Sequence, residues 1–170
     1  MLDAATVVLD RVLGLGWLVP VAVLLPNVLW VVLPAAAPPP RAAPSRPPWT
    51  NWVAPVEWVG RAAVFILPAL YRFEAGSNDI ARWSMGAALA FYYLGWLRYF
   101  VGGRKAQLLY APLLQVPVPL AVSPIVYFLA ASVVLRAWPL AIAAAVFGAA
   151  HVALAWTEHR RLQEQLVGST

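Results

Sequence analysis

Thirty consecutive residues, Ala106 to Leu135, carry no charged side chain, and Val12 to Pro40 and Ala137 to Thr157 are further charge-free stretches. A bilayer crossing needs about 20 mostly apolar residues, so each stretch is long enough for one. Three in a chain of 170 residues exceed what an ordinary soluble domain offers. The sequence therefore reads as all-α, a polytopic transmembrane helical bundle forming a single integral membrane domain over residues 1–170. Only 11% of the residues are charged, against roughly 25% in soluble proteins. Cysteine is absent, which excludes disulfides, thiolate metal sites and thiol catalysis. The net charge of +5 comes from Lys and Arg scattered between apolar runs, the pattern of a topology signal rather than a polyanion site. No nucleic-acid partner is expected.

Five spans are predicted, near 12–33, 53–71, 80–101, 118–135 and 140–156. The first contains Pro20 and Pro26 and is expected to bend. It reads as a retained helix, because Asp3 and Asp10 outnumber Arg11 where a signal peptide would carry a basic leader. Seven prolines between Pro34 and Pro48 predict a linker of polyproline character. Trp49 and Trp52 mark a return to an interface, and Arg72 to Asp79 reads as a polar turn ending in a helix N-cap. The spacings Gly86/Ala90 and Ala144/Gly148 predict close helix approach. As one straight helix the 30-residue run would measure about 45 Å at 1.5 Å per residue, more than the roughly 30 Å of a hydrocarbon core. Its prolines predict an interfacial or re-entrant piece over 107–116 before the fourth span. Residues 157–170 read as a charged tail, a solvated helical extension.

In this five-span arrangement Arg41, Arg46, Arg104, Lys105, Arg160 and Arg161 share one side, against Arg11, Arg72, Arg82 and Arg136 on the other. The excess favours the first side as cytoplasmic. The expectation is a bacterial inner-membrane protein with its N-terminus outside and its C-terminus cytoplasmic.

Alternating helix directions place Asn27, Glu57, Arg61, Arg98 and His151 at roughly one depth in the cytoplasmic half. Charges there usually face a bundle interior, a partner or a wet cavity. Glu57 and Arg61 stand at i, i+4, acid first, the better order for a same-face pair. Tyr92, on the helix that bears Arg98, adds a hydroxyl. These six residues form the candidate ligand-binding set. The plainer reading has Arg61 and Arg98 reaching lipid phosphates, Glu57 neutralising Arg61, and His151 as a packing residue.

Catalytic motifs are not found. A hydrolytic metal site wants at least three ligands, and the two histidines, His151 and His159, fall short. One histidine does not make a haem site, Ser123 and Ser132 lie in no nucleophile motif, and no phosphate-binding glycine loop is present. No catalytic residue, metal or cofactor is assigned. The segment RPPWTNWVAPVEW, Arg46 to Trp58, resembles the tryptophan-rich sensory protein family of five-helix membrane proteins, which bind porphyrins and sterol-like ligands. The chain departs from that family afterwards: its Trp-, Asn- and Pro-containing third-helix pattern is missing, and no residue role is carried across.

The functional expectation is a small membrane protein that binds, with transport as an extension, an amphipathic small molecule or lipid in a polar-floored pocket. The alternative is a non-catalytic accessory or scaffold subunit of a larger membrane complex. The bilayer itself and a second copy of the chain are the other expected partners.

Overall fold

A computed structural model describes residues 14–36, 46–73 and 78–167, with side chains placed through residue 164. Parts of the predicted first span, linker, polar turn and tail, including Arg11 and Arg41, lie outside these residues. The described residues hold five α-helices: α1 Leu18–Val32, α2 Thr50–Ile66, α3 Asp79–Val101, α4 Pro119–Val134 and α5 Trp138–Val167. A 3-10 turn, Leu67–Leu70, continues α2, and another, Ala106–Leu109, follows α3. Two helical segments, Thr50–Leu70 and Trp138–Glu164, are long and apolar enough to cross a membrane. Helices α1 and α4 are apolar but have 15 and 16 residues, about 22 to 24 Å at 1.5 Å per residue. Helix α3 has the length, with 23 residues, but Arg82, Arg98 and its tyrosines lower its hydropathy.

Local chemistry sets these boundaries. Helix α1 begins at Leu18, later than predicted, because Gly14 to Trp17 form a turn in which Leu15 is left-handed, with φ 58°. That turn is bridged to the end of α2: Leu15 pairs with Arg72, and Phe73 N–H donates to Gly14 O at 2.7 Å. Helix α3 is capped by Asn78, one residue before the expected Asp79; the Asn78 side chain accepts from Ala81 N–H at 3.2 Å. A turn through Arg136, φ 50°, joins α4 to α5, with Pro139 in the first helical turn, where its missing N–H is not needed.

Helix α3 packs on α4, α4 on α5 and α5 on α2, while α1 leans on the group more lightly. Tyr92, Trp96 and Tyr99 share one buried face of α3 at helical spacing, and Trp96 meets both tyrosines edge-on at 6.2 and 5.7 Å. Phe128, Leu140, Ala144 and Phe147 complete the core. Gly60 sits against the Phe147 backbone so closely that a Cβ would approach Phe147 Cα to 3.0 Å. Gly148 lies against the side chain of Ile125, whereas a Cβ on Gly86 would meet nothing within 4 Å. The predicted close approach at Gly86 is thus corrected: that position faces outward, and the intimate glycine contact of α2 is at Gly60.

The tail is corrected in part. It continues α5 as helix, yet His159 and Leu162 are buried, so the extension is not solvated all round. The surface elsewhere is strongly apolar. Trp52 is 82%, Trp83 80% and Ile80 78% exposed, whereas Glu57 is only 6% exposed. This reverses the usual polarity of a water-soluble protein, where large contiguous apolar patches are rare.

Candidate functional site

Pro26 has no N–H, so the carbonyl four residues earlier, Ala22, loses its helical donor. The Tyr93 hydroxyl supplies the replacement, donating to Ala22 O at 2.6 Å. One residue on, Asn27 Nδ2 donates to Val23 O at 2.7 Å and to the Tyr92 hydroxyl oxygen at 2.8 Å. The proline break in α1 is thereby closed by polar groups of α3. The same bonds fix Asn27 and Tyr92 beside one another.

A second polar cluster lies between α2 and α5. The spacing of Glu57, Gly60 and Val64 puts all three on the buried face of α2, and contact at Gly60 brings α5 close. Glu57 Oε1 accepts from Arg61 Nη2 and lies 2.8 Å from His151 Nδ1. With a guanidinium paired to it, Glu57 is a carboxylate and can only accept, so Nδ1 carries the hydrogen. The His151 ring stacks on Phe147, with centroids 4.9 Å apart and planes 18° apart. The Arg61 guanidinium lies over Trp58 at 5.1 Å from the ring centroid.

The two clusters face one cavity of about 500 Å³. Asn27, Arg61, Tyr92 and His151 contribute to its wall, and Glu57 stands behind as the shared acceptor of Arg61 and His151. The remaining wall is mostly apolar, including Phe65, Val118, Ala121, Phe128 and Phe147. Its volume and make-up fall within the usual range of small-molecule sites. Leu24 and Trp30, both exposed, belong to the rim along α1.

Arg98 is placed elsewhere. Its Nη1 donates to Pro112 O at 2.7 Å and approaches Ala111 O at 3.4 Å, tying the proline-rich connection to the end of α3. That connection is irregular apart from a 3-10 turn, Ala106–Leu109. After its 3-10 turn it makes a tight hairpin in which Leu113 and Val116 exchange backbone bonds of 3.2 and 2.9 Å. Leu114 and Gln115 at its tip are both left-handed, with φ 48° and 67°. It delivers Leu109, Tyr110 and Val118 to the cavity wall. Val118 is itself left-handed, φ 41°, a costly conformation for a β-branched residue.

Trp96, in the wall, was not singled out from sequence; its indole lies edge-on to Tyr92 and Tyr99. Tyr110 was missed as well, since nothing in the sequence ties it to the tail of α5. Burial pushes the Tyr110 phenol above its ordinary pKa; nearby Glu158 adds to the rise and Arg46 opposes it. Glu158 in turn binds Arg161 at 2.8 Å and Arg46 at 3.6 Å. Among the described residues no group of three His, Asp or Glu side chains could hold a metal ion. No protein-family model, curated protein or solved structure matches the chain.

Proposed function

We propose that this chain is an integral membrane protein whose five helices lie in the bilayer and whose cavity binds an amphipathic small molecule or lipid. The observation that carries the reading is the cavity of about 500 Å³ with Asn27, Arg61, Tyr92 and His151 in an otherwise apolar wall. Two further observations support it. The exterior carries exposed Trp, Ile, Val and Leu on every helix, a surface suited to lipid. The rim at Leu24 and Trp30 lies on that apolar exterior, so a lipophilic ligand would reach the cavity sideways from the bilayer. In the orientation that follows from the excess of Lys and Arg, the end carrying Arg46, Arg104 and Arg160 is cytoplasmic. Contacts between Ala36 and Arg104, and between Arg46 and Glu158, gather these segments together.

A competing reading, an accessory subunit of a larger complex, is favoured by the outer groove between α4 and α5. That groove is floored by small residues such as Gly148 and Ala149, which suit contact with another helix.

Native mass spectrometry of protein extracted from its own membranes in mild detergent separates the two. A reproducible adduct of small-molecule or lipid mass is expected, reduced at least tenfold in Ala121→Phe, which fills the cavity. Co-release of a different polypeptide without any small adduct would replace the binding reading with the accessory one.

A further inference from the structure

Resting on the cavity reading above, we propose that the ligand is a lipophilic carboxylic acid, held as its anion after transferring its proton to Nε2 of His151. Nδ1 of His151 carries the hydrogen that faces Glu57 at 2.8 Å, so in the neutral ring the lone pair is on Nε2. His151 belongs to the cavity wall, and stacking on Phe147 fixes its ring plane. The imidazolium produced by proton transfer would keep Nδ1–H on the Glu57 carboxylate, which stabilises the charge it gains.

Charge balance selects the ligand class. Glu57 and Arg61 cancel, so with neutral His151 the cluster carries no net charge. A protonated acid entering from the bilayer leaves the total at zero. When its O–H bond breaks and Nε2–H forms, the electron pair stays on the ligand oxygen, and imidazolium and carboxylate again sum to zero. No other reactant is needed. A quaternary ammonium would add a positive charge that no group of the cluster is left to compensate, against a largely apolar wall, which is unfavourable. A phosphodiester is a far stronger acid than a carboxylic acid, so almost none of it is present near neutral pH in the uncharged form that crosses lipid. Arg61 commits Nη2 to Glu57, leaving its other donors for the ligand carboxylate.

Other titratable groups around the cavity are few. Helix α2 presents Glu57 and Arg61, α3 presents Tyr92, and the connection before α4 presents Tyr110. Among the described residues, helices α1 and α4 contribute no ionisable side chain to the wall, and α5 contributes His151.

The test is calorimetric titration of the full chain in nanodiscs with decanoate, decanol and decyltrimethylammonium, corrected with empty nanodiscs. Buffers of different ionisation enthalpy count the protons taken up. Decanoate is expected to bind at least tenfold tighter than decanol at pH 8, taking up close to one proton. Its affinity should fall about tenfold per pH unit where the free ligand is ionised and the free ring neutral. His151→Gln, which retains a donor toward Glu57, should abolish both the proton uptake and the pH dependence while decanol binding persists. Decanoate binding without proton uptake overturns the inference, as does equal binding of the ammonium probe or proton uptake that survives in His151→Gln. In those outcomes decanol binding that Ala121→Phe blocks leaves the cavity reading standing. If none of the three probes binds, both readings fall.

Discussion

Glu57 illustrates how far single residues could be read. Its pairing with Arg61 follows from the i, i+4 spacing alone, whereas its second partner lies 94 residues away on α5. The shared depth of the two helices anticipates that meeting, but depth does not fix rotation about a helix axis. Arg98, which the alternation of helix directions would put at the same depth, points to the carbonyls of Ala111 and Pro112 instead. Glycines divide in the same way. Gly86 has the spacing of a packing motif yet faces outward, while Gly60, in the unremarked sequence VGRAA, touches the Phe147 backbone. Gly60→Ala is therefore expected to destabilise the fold by about 1 to 3 kcal/mol through overpacking. Gly86→Ala should leave stability unchanged or raise it by up to about 1 kcal/mol through helix propensity. Unfolding of both variants in the same detergent, followed by circular dichroism, checks the contrast.

At the scale of elements, hydrophobic runs located five helices, α3 and α4 to within one residue at each end, whereas α1 begins at Leu18 and α5 runs on to Val167. The ends were less legible. Where α1 starts depends on a bridge to Arg72, near the far end of α2, and no local signal announces a contact of that kind. The connection over 107–116 was recognised as irregular from its prolines, but its hairpin depends on two consecutive left-handed residues, Leu114 and Gln115, neither of them glycine. Arg98 holds this connection from α3. Arg98→Gln is expected to speed amide exchange at Leu113 and Val116 at least tenfold while exchange in the middle of α5 stays unchanged. Hydrogen–deuterium exchange read by mass spectrometry makes that comparison, and equal protection in the variant would remove the tethering role.

For the whole molecule, the tryptophans divide by exposure. Trp52, Trp58, Trp83 and Trp138 are all more than half exposed, whereas Trp96 is buried. If the apolar exterior contacts lipid, brominated acyl chains in reconstituted vesicles should quench most of the tryptophan emission. A variant retaining only Trp96 should be quenched several-fold less. Quenching no greater than that by a water-soluble iodide control would return these tryptophans to an aqueous surface. The candidate site belongs to this scale as well. Sequence supplied four of its wall residues, Asn27, Arg61, Tyr92 and His151, but the apolar wall comes from every helix and from the connection before α4.

The bond from Tyr93 to the carbonyl beneath Pro26 spans 71 positions of the chain, and it imposes a schedule. Helix α1 emerges from synthesis with an open oxygen at Ala22, which water or a translocation channel can satisfy but lipid tails cannot. Its closing hydroxyl arrives only with α3. Helix α1, made before α3, is thus completed only after it, when the Tyr93 hydroxyl comes to meet Ala22.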